Sequence, residues 1–278
     1  MSTQNALLTI LVEKINNDTL VLPTLPAIAL KVRKAADDPD INLHAMGDVI
    51  GQDPSLTARM IKIANSAYMG RTVKVNSINQ AVTRIGLRQI KNIATALAME
   101  QLFVSKNEVV GQYMKQEWTN TVNVVANSMA ALQMYVARTK KRDLSLDTIT
   151  LAALVHNIGV LPILTEAERH EEVFANPTFL DVAIEKLSGR IGGSIMREWG
   201  FGNDFVNVAE NWRDLGFIPD NLSYIDFVRI GAALSGKMDN QKDAVFNLAV
   251  QRGAIENVSD LTSDEFKDMR DAAKQIFA

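Results

Sequence analysis

Residues 151–164 read Leu151-Ala152-Ala153-Leu154-Val155-His156-Asn157-Ile158-Gly159-Val160-Leu161-Pro162-Ile163-Leu164, an apolar run whose only polar side chains are His156 and Asn157. Leu151, Leu154, Val155 and Ile158 recur at helical spacing, so the pair stands near the end of a largely buried helix that Gly159 is expected to close. A polar pair at that depth needs a reason. An imidazole followed by a carboxylate near a helix end is how several metal-dependent hydrolases of phosphate esters hold a divalent ion and its activated water. Here the second residue is an amide. Asn157 carries no charge to neutralise an ion or help lower the pKa of its water. The residues therefore favour a core histidine satisfied by a neighbouring backbone group over a metal ligand.

Outward from that run, a chain of 278 residues is long enough for one or two domains. Two lobes are expected, 1–110 and 111–278. With 47% hydrophobic and 22% charged residues the chain has the composition of an ordinary soluble protein with a sizeable core, which argues against disorder. A net charge of -3 leaves no general electrostatic footprint for a polyanion, so no nucleic-acid partner is expected. The nearest basic cluster, Lys140-Lys141-Arg142, is flanked by Asp143 and reads as a solvated helix end. The absence of cysteine excludes disulfides, thiolate zinc sites and cysteine nucleophiles, and is compatible with a reducing compartment. The first residues lack a basic leader, and no apolar run approaches the roughly 18 residues a membrane helix needs. A soluble, cytoplasmic protein with no membrane contact is expected.

Along the first half, apolar residues at helical spacing predict short helices through Leu7–Ile15, Ile28–Ala36, Leu43–Ile50, Leu56–Ala67, Ile78–Ile85 and Leu87–Ala98. Start signals are clear in places. Asp53-Pro54 sets a capping carboxylate before proline at the first helical position, and Ser77 three residues before Gln80 predicts a capping box. Gly70 and Gly86 read as helix stops. Asn65 lies late in its helix, where an amide is expected to bond free carbonyls or the loop beyond Gly70. Beyond Gly111 a long helix carries Trp118, Val122, Val125, Met129, Leu132 and Val136 on one face. His170, in the acidic stretch 166–172, is expected at the surface. Gly189, Gly192 and Gly193 follow no strand, so they predict close helix packing rather than a nucleotide loop. No segment alternates as a strand would, and the expected fold class is all-α.

The motifs Leu25-Pro26-Ala27, Gln52-Asp53-Pro54-Ser55-Leu56, Ala64-Asn65-Ser66-Ala67-Tyr68 and Ile85-Gly86 resemble those of the HDOD family, the HD-related output domains of bacterial signalling proteins. The resemblance spans roughly Leu20 to Asn221. It implies a multi-helical HDOD-like fold of two helical lobes, the second related to HD-type metal-dependent phosphohydrolases, and a regulatory role. Asp53, Pro54, Asn65, Ser66 and Gly86 are then motif residues with structural roles. Carried over position by position, the HD pattern keeps only His156. Asn120 stands for the early histidine, Asn157 for the aspartate of the pair, and Ser188 and the region of Asn211-Trp212 for later histidines. A metal would be left with His156 and carboxylates such as Asp181, Asp204 or Glu210, and His44 lies far away in the first lobe.

The reading that follows is a non-catalytic signal-transduction module with no metal and no cofactor. It acts in trans on a signalling partner protein, with a small ligand in the interlobe cleft as an alternative occupant. A phosphohydrolase using His156 is the competing function. Tyr68, Met69, Arg71 and Trp118, residue types enriched at interface cores, form the candidate interlobe surface. Plain core packing is the competing explanation for Trp118.

Overall fold

The structure, a computed structural model, describes residues 4–66, 69, 73–170 and 177–277. Among them every regular element is helical. The first half comprises α1 (Gln4–Asn16), α2 (Ala27–Ala36), α3 (Leu43–Gly51), α4 (Pro54–Ala64), α5 (Ile78–Ile85) and α6 (Leu87–Ala98). The second comprises α7 (Glu108–Thr139), α8 (Leu146–Val155), α9 (Val160–Ala167), α10 (Pro177–Glu198), α11 (Asn203–Asn211), α12 (Tyr224–Leu234), α13 (Lys242–Gln251) and α14 (Asp264–Lys274).

The local signals act as their chemistry requires. Asp53 accepts the Leu56 N–H at 2.9 Å and Pro54 opens α4. Ser77 accepts the Gln80 N–H, while the Gln80 side chain reaches one residue further back, to the Asn76 N–H. Gly86 takes φ 86° between α5 and α6, a left-handed turn that a side chain would strain. The long helix begins three residues before Gly111, and the boundary expected at 110 falls in its first turn. Exposed Lys140, at φ 59°, ends it.

Helix α7 is the axis of the second half, with α8, α12 and α14 packed around it. Its stripe of Val122, Val125, Met129, Leu132 and Tyr135 is buried, whereas Val136 is only partly so. In the first half α2 packs on α3 and α6, and α6 in turn packs on α8. Helix α1 lies on α9 and α10 of the second half. Lys14 of α1 places Nζ 2.7 Å from both carboxylate oxygens of Glu166. Glu166 is therefore buried, and His170 is half-buried beside it, in place of the exposed acidic surface expected there.

The span Leu146–Ala167, made of α8, the turn after it and α9, is long and apolar enough to cross a membrane by length and composition, contrary to the expected absence of such a run. Its most apolar window is 89% buried inside the fold, which is the setting of a core helix. Pro162 fits because its missing N–H falls in the first turn of α9. Gly159 does not act as a left-handed cap; its φ is -65°. A Cβ there would stand 1.9 Å from the Ser188 carbonyl oxygen and 2.6 Å from the Gly192 nitrogen, so glycine is what lets this turn meet α10. Gly189 similarly admits the Glu210 carbonyl of α11.

Candidate functional site

His156 follows the last turn of α8 and is 1% exposed. Its Nδ1 lies 2.5 Å from the Ala153 carbonyl oxygen, which only accepts, so Nδ1 carries the proton. Among the described residues Nε2 has no hydrogen-bond partner. The ring stands edge-on to Trp212 with centroids 4.8 Å apart. Burial lowers the imidazole pKa to about 3; the Ala153 bond opposes the shift, and the charges of Arg213 and Lys237 add to it. The ring is neutral at physiological pH.

Asn157 belongs to a network of charges. Its Nδ2 donates to Glu117 Oε2 at 3.0 Å, and its Oδ1 accepts from Arg213 Nη2 at 3.2 Å. Arg213 Nη1 donates to Ser188 Oγ at 2.7 Å. Lys237 Nζ donates to the other oxygen of Glu117 at 2.8 Å. The guanidinium of Arg213 lies over the Trp212 ring, 3.9 Å from its centroid. Burial lowers its pKa to about 10, opposed by Glu117 and Glu185, and it stays cationic at neutral pH. The segment carrying it is fixed by Arg229, 1% exposed, which donates to the carbonyls of Asn211, Trp212, Asp214 and Phe217.

The network lines a polar cleft of about 570 Å³, with Asp181 and Glu185 of α10 and the segment 236–241 as its other walls. All of these elements belong to the second half. First-half and second-half segments meet around a smaller cavity of about 280 Å³, between residues 14–22 and 191–198.

His156, Asn157 and Ser188 thus converge on one place, while Asn120 stands one step away, bonded to Gln116 and Glu117. Of the carboxylates considered as metal partners, Asp181 is exposed and lines the same cleft, Asp204 is exposed at the start of α11, and Glu210 pairs with Arg197. His44 is exposed beside Asp48. Among the described residues no group of three histidine or carboxylate side chains is placed to hold an ion. The donors do not fit the divalent ion that the HD relationship implies, because Asn157 and Ser188 present their oxygens to a guanidinium and His156 is sealed against Trp212.

In the first half, Asn65 bonds both peptide groups of Val75, donating to its carbonyl and accepting from its N–H at 2.9 Å each. Ser66 Oγ donates to the Ile63 carbonyl at 2.7 Å. These motif residues close α4 and pin the following loop. Met69 is half-buried against the core, and Tyr68 and Arg71 lie outside the described residues. Trp118 is 9% exposed under Phe103 and Phe277, with ring centroids 5.2 and 6.3 Å away, so it offers packing rather than an open face.

An all-helical fold with a buried helix ending in a His-Asn pair is the setting in which the comparisons with known proteins fall. Residues 22–214 match the HDOD domain, and the chain belongs to the HDOD family. A crystal structure from Shewanella amazonensis SB2B, of a protein described as a "Putative metal-dependent phosphohydrolase", is 42% identical with both chains covered in full and a TM-score of 0.94. An HDOD domain protein from Geobacter sulfurreducens shares the fold at 18% identity, with 97% of this chain and 89% of that one covered and a TM-score of 0.59. A protein of Treponema pallidum (strain Nichols) is 25% identical over 210 residues, 72% of this chain. The match spans 39% of that relative's own length.

Proposed function

We propose that this HDOD protein is a non-catalytic signal-transduction module of the cytoplasm that acts by binding a partner protein. One observation carries the reading: the side chains at two of the HD-type positions, Asn157 and Ser188, are engaged by a network of hydrogen bonds and ion pairs around Arg213. A hydrolase of this class needs open coordination positions and a water activated by the ion, whereas Asn157 and Ser188 present their oxygens to Arg213 here. Family membership supports the regulatory role by analogy of fold. The name carried by the Shewanella protein favours the opposite reading, so the test addresses it directly. Purified protein supplied with manganese, iron or zinc is expected to release no phosphate from monoesters and to open no cyclic dinucleotide, while cross-linking in the native cell captures a protein partner. Turnover abolished by His156→Ala would overturn the proposal.

A further inference from the structure

A polar pair in a buried helix end and a serine on the facing helix, with no group of three ion ligands among the described residues, leave open what holds this site together. We infer that the Arg213 guanidinium is the site's built-in cation: it stands where the HD relationship would set a divalent ion and latches α7, α8, α10 and the segment after α11 to one another.

Three features of the geometry support the latch. Both side-chain oxygens that would face an ion, Asn157 Oδ1 and Ser188 Oγ, accept N–H groups from Arg213 at 3.2 and 2.7 Å. The amide at 157 is what this arrangement requires. It accepts from the guanidinium with one end and donates to Glu117 with the other, whereas an aspartate would set a second carboxylate about 3 Å from Glu117. The guanidinium is also placed in advance of any ligand. Its face lies on buried Trp212, and Arg229 bonds four carbonyls of the segment that carries it. Lys237 completes the charge pattern by taking the remaining oxygen of Glu117. An entering ion would have to displace Arg213 from the Asn157 amide and the Ser188 hydroxyl, and the carboxylate bonded to Asn157, Glu117, is already paired with the Lys237 ammonium.

The inference concerns what fills the site and stands apart from which partner the protein binds. It is tested on the full chain by melting curves and metal titration of the wild type, Arg213→Ala and Asn157→Asp. The wild type is expected to purify without stoichiometric metal and to melt at the same temperature with EDTA or with millimolar Mn²⁺. Arg213→Ala is expected to melt about 5 °C or more lower, and millimolar methylguanidinium is expected to restore much of that loss without changing the wild type. Asn157→Asp, although it restores the carboxylate of the HD pair, is expected to bind no Mn²⁺ while Arg213 is present. A wild type or Asn157→Asp protein stabilised by Mn²⁺ would overturn the inference even if Arg213→Ala failed to fold. An Arg213→Ala protein melting within about 1 °C of the wild type would also overturn it. Either result is independent of whether phosphate esters are turned over, so the latch and the functional reading fail separately.

Discussion

The buried neutral imidazole of His156 makes acid stability a direct test of the site. Its pKa is about 3 in the fold, and a histidine in the unfolded chain titrates near 6.5. Well above pH 6.5 neither state is protonated and the ring contributes nothing to the pH dependence. Below it the unfolded chain takes up a proton that the fold refuses, so stability is lost as pH falls from about 6.5 towards about 3. From those two values the loss between pH 7 and pH 5 is about 2 kcal/mol, and it levels off near 5 kcal/mol below pH 3. Carboxylates titrate in the same range, so the comparison is between the wild type and His156→Gln, which share them. Urea melts at pH 7 and pH 5 are expected to show a stability difference about 2 kcal/mol larger in the wild type than in the variant, roughly 4–8 °C in melting temperature. Nitrogen-detected NMR of the folded wild type is expected to show His156 in the Nδ1–H form down to pH 5. Parallel pH curves for the two proteins, or a His156 resonance titrating near 6.5 in the folded state, would refute the argument.

The remaining expectations concern packing and the family motifs. Asn65→Ala leaves both peptide groups of Val75 without their side-chain partner and is expected to cost about 1–3 kcal/mol, read by thermal melting; an unchanged melt would show that this loop is held by other contacts. Gly159→Ala drives a methyl group into the backbone of α10 and is expected to cost about 3 kcal/mol, because neither the Ser188 carbonyl nor the Gly192 nitrogen can move without separating the helices. Soluble, fully stable Gly159→Ala protein would mean that the crossing is looser than its geometry implies.

What the chain disclosed in advance depended on how local the physics is. Asp53-Pro54 reads as a helix start because a capping carboxylate and a missing N–H act within one turn, and Asn65 announces its role because an amide among core positions must satisfy backbone nearby. His156 and Asn157 stand out against their apolar surroundings for the same reason. The residues that complete the site carry no such mark. Asn157 meets Glu117 across 40 residues, Arg213 meets Asn157 across 56, and Lys237 meets Glu117 across 120. Each is a charged residue in a helix or turn, where the ordinary expectation is solvent. The stretch holding Glu166 hides its depth for the same reason: acidic residues predict surface until Lys14, from the first helix of the chain, covers Glu166. One signal for Arg213 was present, since it follows Trp212, a residue already assigned to the region of a later HD histidine. Reading that arginine as a replacement required a further step, because a sequence compared with a metal-binding pattern reveals only which ligands are gone. A buried site that loses a divalent ion still has oxygens to satisfy and a charge to balance. The search for the substitute should therefore begin among arginines adjacent to the lost ligand positions, where a fixed guanidinium supplies both the charge and the donors that the departed ion no longer provides.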